Sequence, residues 1–347
     1  MVDGAAMPGH SRAVNQTASP YTHSLAAIAL RQTLLLPAIW LFSACLPAAE
    51  PTPKPAKTVR LLTVGNSFSQ NATRQLGNLV TNAGHVLIHQ PIVVGGASLE
   101  LHWGRAAAYE KDPQSTNGLY SNKQSLKQML TAQPWDFVTI QQASIKSHDL
   151  ATYRPFAKQL HDYIKQHAPK AELLMHQTWA YRVDDPRFSV AAPKAGEPAT
   201  QADMYRMLTS AYTTVAAELG IRRIPVGDAF YLADTDPKWG YQRDAKYDFK
   251  DKTQTALPDQ KHSLHVGWRR AKGKDGKESL GMDGHHANAA GEYLGACVWY
   301  EVLFGESVVG NALTTPGLDK TYAHFLQETA HRAVLASRTR QLAAPAK

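Results

Sequence analysis

Two short stretches near opposite ends of the chain hold the side chains with which this protein could do chemistry. The first is Gly65-Asn66-Ser67-Phe68-Ser69, which follows an apolar run, and the second is Met282-Asp283-Gly284-His285-His286-Ala287-Asn288. A serine hydroxyl is a poor nucleophile unless a base takes its proton, and the base needs a third group to fix its tautomer and stabilise its charged form. Asp283 and His286 are three residues apart, and the pattern predicts that they stand at the start of a helix over 287–304, where such residues share a side. Ser67 is predicted at a strand-to-helix turn, where helix-start N–H groups can stabilise a developing oxyanion. An isolated Gly-Asn-Ser is more often a plain helix cap. It is the presence of all three residue types that points to nucleophilic catalysis. His285, adjacent to the base, is read as a surface or supporting residue.

These residues need a scaffold, and the sequence outlines one. Short apolar runs at 59–64, 86–94, 137–141, 172–176 and 222–226 read as five strands, alternating with helical patterns at about 70–83, 99–109, 121–132, 153–167 and 201–219. That alternation predicts an α/β fold, a parallel sheet with helices on both faces. Ligands then bind outside the carboxyl ends of the strands. A Lys-rich segment at about 233–280 is too long for a simple connection and is expected to be an insertion over the site. A helix over 320–341 closes the chain, and no internal repeat is visible.

Gly-Asn-Ser after the first strand, Gly95-Gly96 after the second and Asp-x-x-His before a late helix together resemble the SGNH/GDSL-type serine hydrolases, in their branch of exported bacterial members. The resemblance runs from about residue 59 to 311. It implies a flavodoxin-like three-layer α/β/α sandwich with a central five-stranded parallel sheet, and a triad of Ser67, Asp283 and His286. It also implies an oxyanion hole built from the Ser67 N–H, the Gly96 N–H and a carboxamide after the third strand. There the chain departs from the family pattern: Ile140-Gln141-Gln142-Ala143-Ser144 stands where Gly-x-Asn-Asp is usual, and Gln142 is the residue able to donate in its place. Asn66, where many members have Asp, Gly95, Glu100, His176 and Trp179 are candidate pocket residues, with His102 and Trp103 beside them.

The His and Asp residues also invite a metal reading, through His262, His265, His285, His286 and Asp283. The His-Glu-x-x-His spacing of zinc hydrolases is absent and there is no Cys pair for a structural site, so no metal or cofactor is expected.

Residues 1–45 read as an export segment: a polar stretch, Arg31, a short apolar run over 34–42, then Ser43 and Ala44 before Cys45, as in a bacterial lipoprotein signal. The run is shorter than the roughly 20 residues a membrane-spanning helix needs. Residues 46–58, rich in Pro, Ala and Lys, read as a tether, and 59–347 as a single domain. Cys45 and Cys297 are the two cysteines; acylation of Cys45 would exclude an intrachain disulfide, and Cys297, within an apolar run, reads as a small buried hydrophobe. The net charge of +8 falls to about +7 without the first 44 residues. No nucleic-acid-binding signature accompanies it, so nucleic acid is not an expected partner. The expectation is an exported esterase, periplasmic or anchored through an N-terminal lipid, that hydrolyses short acyl esters, acetyl on carbohydrate above all. A non-catalytic glycan-binding module and a lipid or thioester hydrolase are the alternatives.

Overall fold

The computed structural model describes residues 55–343 except 192, 252, 273–275, 277 and 314. The export segment, Cys45 and most of the tether lie outside the described residues.

Five parallel strands form the central sheet: β1 (Thr58–Gly65), β2 (Val86–Val93), β3 (Phe137–Ile140), β4 (Glu172–His176) and β5 (Arg222–Ile224), in the order β2-β1-β3-β4-β5. This is a flavodoxin-like order, whose switch point lies between the carboxyl ends of β1 and β3. The central strands are apolar because both faces are covered: Leu61, Leu62, Val64, Val138 and Ile140 are all at most 1% exposed. Edge strand β2 carries the exposed Val86 and Ile88.

One helical layer contains α3 (Leu99–Lys111), α4 (Leu126–Thr131), α5 (Phe156–His167) and α6 (Gln201–Leu219), packed in turn against one another. The opposite layer is centred on α8 (Ala289–Phe304). It packs against α1 (Ser67–Thr73), α2 (Leu76–Asn82), α7 (Val226–Asp234) and α9 (Lys320–Ala343). Apolar nearly all round, α8 buries 14 of its residues, as a helix enclosed on every side must. Cys297 is among them. No helix among the described residues is long and apolar enough to cross a membrane.

Three expectations change. The helix expected over 70–83 is two short helices, α1 and α2. The segment expected as an insertion from 233 begins after α7, which the apolar run behind β5 concealed. It contributes an antiparallel hairpin of β6 (His265–Lys272) and β7 (Glu278–Ala287). Asp283 and His286 consequently lie on β7 and not at the start of α8, which opens at Ala289 with Asn288 as its cap.

Candidate active site

Ser67 is set by the turn that joins β1 to α1. Asn66 is extended and caps the helix, its Oδ1 accepting from the Phe68 N–H at 2.9 Å and from Gln141 Nε2 at 2.7 Å, while its Nδ2 donates to Ala97 O at 2.9 Å. Asn66 is 2% exposed, so it braces the turn and does not line a pocket. A Cβ at Gly65 would lie 2.5 Å from Ser69 Oγ and 2.9 Å from Gln141 Oε1. Glycine is required there because the two motif loops pack directly on its Cα.

The candidate base, His286, comes from β7. His286 Nε2 lies 3.0 Å from Ser67 Oγ, and its Nδ1 faces Asp283 Oδ2 at 3.0 Å and Oδ1 at 3.2 Å. In an unbroken strand residues three apart point to opposite faces. Here Gly267 pairs with Asp283 and His265 with Ala287, so Val266 alone opposes Gly284, His285 and His286. That irregularity turns the two side chains together. Asp283 Oδ1 also accepts the His286 N–H at 3.0 Å, which locks the carboxylate to the loop it serves. Burial opposes ionisation of Asp283. The hydrogen bonds from the His286 N–H and ring, with the neighbouring imidazoles, outweigh it and hold the carboxyl below its ordinary pKa. With Asp283 ionised, Nδ1 carries the ring proton and Nε2 is free to accept from Ser67.

An aromatic wedge supports this loop from below. Trp179, fully buried, donates Nε1–H to His285 O at 2.9 Å and packs between Phe68 and Phe230, each 4.4 Å away by ring centroid. His176 lies deeper, its Nδ1 2.8 Å from Gln141 Oε1, and complete burial pushes its pKa down to about 3. Both residues were candidates for the pocket. The structure puts them beneath it, because β4 runs through the core and its carboxyl end is roofed by β7. Glu100 is exposed at the rim in an ion pair with Lys146 at 3.2 Å. His102, buried, spans Gly65 O and Tyr120. Trp103 packs edge-on against Tyr163.

The expected oxyanion donors divide. Gly96 has φ +65°, and the exposed Gly95-Gly96 turn is held beside the nucleophile by Val94 N–H donating to Gly65 O at 3.1 Å and by the Asn66 bond to Ala97. Among the described residues neither the Ser67 nor the Gly96 N–H has a hydrogen-bond acceptor. Gln142 is corrected. It is fully buried, its Nε2 donates to Thr152 O and Oγ1 at 2.8 and 3.2 Å, and its Oε1 accepts from the Leu99 and Ala143 N–H groups. Its carboxamide is spent on tying the loops after β2 and β3 together, which leaves no donor for a substrate.

Asp283, His285 and His286 place ligand-type atoms within 4.8 Å of one another, the one such group among the described residues. The other histidines of the metal reading lie elsewhere: His265 is buried against Ala180 O, and His262 packs at a tilt against Trp239 and Tyr322.

Sequence reasoning took Trp179 from the loop after β4 but missed Tyr181 two residues further on. There Tyr181 shares a 3.0 Å hydrogen bond with Ser144 and lies 5.4 Å, ring to ring, from His285, which itself is 4.4 Å from His286. Tyr181 forms one wall of a cavity of about 390 Å³ whose other walls include Ile145, Phe188, Val190 and Met204. The available signal was position alone, since the loop follows the carboxyl end of a strand.

No curated protein matches the sequence. Among solved structures, the chain is 25% identical to a DUF4886 family protein from Bacteroides uniformis, covering 80% of this chain and 95% of that one with a TM-score of 0.59. It is also 20% identical to a protein from Slackia heliotrinireducens assigned to the SGNH hydrolases, over 70% of this chain and 98% of that one, with a TM-score of 0.42. Residues 60–250, which include Ser67 and Gly96, match the family described as a domain of unknown function, DUF4886. The match spans more than half of the sequence, and the chain belongs to that family.

Proposed function

We propose that the protein is a carboxylic ester hydrolase of the SGNH type, acting on short acyl esters. The observation that carries this reading is the contact of Ser67 Oγ with His286 Nε2 at 3.0 Å, with Asp283 behind the ring at 3.0 Å. In the reaction Ser67 Oγ attacks the ester carbonyl while its proton passes to His286 Nε2. The resulting oxyanion is met by the Ser67 and Gly96 N–H groups. Collapse breaks the bond to the alcohol, whose oxygen takes the proton from His286 and leaves. A water then gives its proton to His286 and attacks the acyl-serine, and Ser67 recovers its proton as the carboxylic acid departs. Asp283 stays ionised throughout and stabilises the imidazolium.

The sequence further suggests an exported enzyme anchored through an acylated Cys45, which we carry as part of the proposal, and an acetylated carbohydrate as substrate, which is weighed against an apolar alcohol below. The test is direct. Wild-type protein is expected to cleave p-nitrophenyl acetate and to be labelled by a fluorophosphonate at Ser67, and Ser67→Ala should lose both. Wild-type protein that folds, resists the label and leaves a panel of short acyl esters intact would instead be a binding module on the same fold. Parallel assays on acetylated xylan and on simple alkyl acetates address the alcohol side.

A further inference from the structure

The cavity beside the catalytic histidine has no assigned occupant. Its walls come from three loops or elements at the carboxyl side of the sheet: Ile145 follows β3, Tyr181, Phe188 and Val190 follow β4, and Met204 belongs to α6. Ile145 and Val190 are large apolar side chains left 51% and 57% exposed, although each faces a concave surface. Arg187 lies over the Tyr181 ring at 4.9 Å, Lys194 and Glu197 are exposed, and His148, buried, faces Glu197 at 3.4 Å with its Nδ1 unpartnered among the described residues, so a few polar groups interrupt a mostly apolar lining. A volume of about 390 Å³ is within the range that holds a small organic ligand. Such a lining presents more apolar contact than hydrogen-bonding partners, which suits hydrocarbon better than a sugar, whose every hydroxyl must exchange a water hydrogen bond for a protein one.

Position identifies which part of an ester would enter it. His286 must hand its proton to the oxygen of the departing alcohol, so that alcohol lies on the histidine's side of Ser67. Tyr181, one wall of the cavity, lies 5.4 Å ring to ring from His285, which is 4.4 Å from His286, so the cavity stands on the histidine's side with these two rings between. We propose that this cavity binds the alcohol moiety of the ester and selects an apolar one, alkyl or aryl, in place of a sugar. The inference rests on the ester-hydrolase reading and narrows it to short acyl esters of apolar alcohols.

The test compares kcat/KM for ethyl, hexyl and 2-(2-methoxyethoxy)ethyl acetate, the last one chain atom longer than hexyl but polar. Each buried CH₂ is worth about 0.8 kcal/mol, so hexyl acetate is expected to exceed both others by roughly tenfold or more. Val190→Asp and Ile145→Asp should shrink the hexyl-to-ethyl ratio at least fivefold, whereas Leu335→Asp, on the outer face of α9, should leave it in place. Equal rates for the three acetates, or ratios untouched by the two cavity variants, overturn the proposal. Ethyl hexanoate gaining as much as hexyl acetate, with the same sensitivity to Val190→Asp, overturns the assignment to the alcohol side. Binding of 1-hexanol to Ser67→Ala separates the two readings, since it needs no turnover. Saturable binding weakened by Val190→Asp supports the cavity even if no ester is cleaved, and absence of binding refutes it even if p-nitrophenyl acetate is cleaved.

Discussion

Ser67 and His286 meet because unreactive neighbours hold each of them: Asn66 and Gln141 fix the turn under the serine, and Asp283 grips both the ring and the backbone N–H of the histidine. The carboxylate is the member whose chemistry can be changed with least disturbance of shape. Asp283→Asn keeps an acceptor for the His286 N–H but offers amide hydrogens to Nδ1, which favours the ring tautomer with its proton on Nε2, facing Ser67. The expected result is a fall in kcat on p-nitrophenyl acetate of about 10³–10⁴-fold with an almost unchanged thermal midpoint. A loss under tenfold would show that the orientation of His286 does not depend on this carboxylate. The three residues were legible in the sequence by type and order, because a nucleophile, a base and an acid behind it are recognisable without coordinates. Gln142 was not. A carboxamide can donate to an oxyanion or to a neighbouring loop, and its partners Thr152 and Leu99 come from segments whose proximity no local pattern reveals.

The five strands were readable because buried parallel strands are near-continuous apolar runs, and they fell close to where the sequence placed them. The hairpin that carries Asp283 and His286 was not, since its twist depends on a mismatch with its partner strand that no local pattern reveals. Arg182 pins that hairpin. Its N–H donates to Gly284 O at 2.8 Å, and its buried guanidinium donates to Asp184 at 2.6 and 3.1 Å, to Gln260 at 2.8 Å and to Ser263 at 3.1 Å. Asp184 accepts in addition from Trp268 Nε1 and Tyr241 OH, each at 3.0 Å, so one ion pair joins the loop after β4 to β6 and to the segment before it. Gly267, at φ +73°, is required because a Cβ there would come within 2.2 Å of Arg182 Nη1. Removing one partner of a buried pair leaves the other charge uncompensated, so Arg182→Ala is expected to cost about 3–5 kcal/mol in urea unfolding. Arg182→Ala combined with Asp184→Ala should recover part of that loss. Esterase activity should stay reduced in both variants, because the segment leading into β6, the partner strand of β7, loses its side-chain ties to the loop after β4, although the Arg182 N–H bond to Gly284 O remains. Full activity in either would mean that the hairpin holds His286 without the pair.

At the scale of the whole molecule, imidazoles withdrawn from solvent govern the response to acid, those of His102, His176 and His265 inside the core and that of His89 half-buried on edge strand β2. Burial pushes His176 and His265 down to about 3 and His89 and His102 down to about 4, against an ordinary value of 6.5. Between about pH 6.5 and 4 the unfolded chain therefore binds protons that the folded protein refuses. Stability rises with pH wherever the unfolded state holds more protons, so the protein loses stability as pH falls through this window. Asp234 acts in the opposite sense. Its Oδ2 accepts from Gln201 Nε2 at 2.8 Å, its Oδ1 is buried and has no partner among the described residues, and burial raises its pKa to about 7. From about pH 4 to 7 the folded state keeps a proton on Asp234 that the unfolded chain releases, which lowers stability as pH rises. Four histidines against two carboxyls, since burial also raises Glu292, leave the net slope positive, and each group can contribute at most about 1.4 kcal/mol per pH unit. Urea midpoints measured from pH 4 to 6.5 should therefore climb with pH. In Asp234→Asn they should climb more steeply, by up to one proton's worth of slope, because that opposing group no longer titrates. A slope that is flat in the parent protein, or unchanged by Asp234→Asn, would show that these interior groups titrate as they do in water.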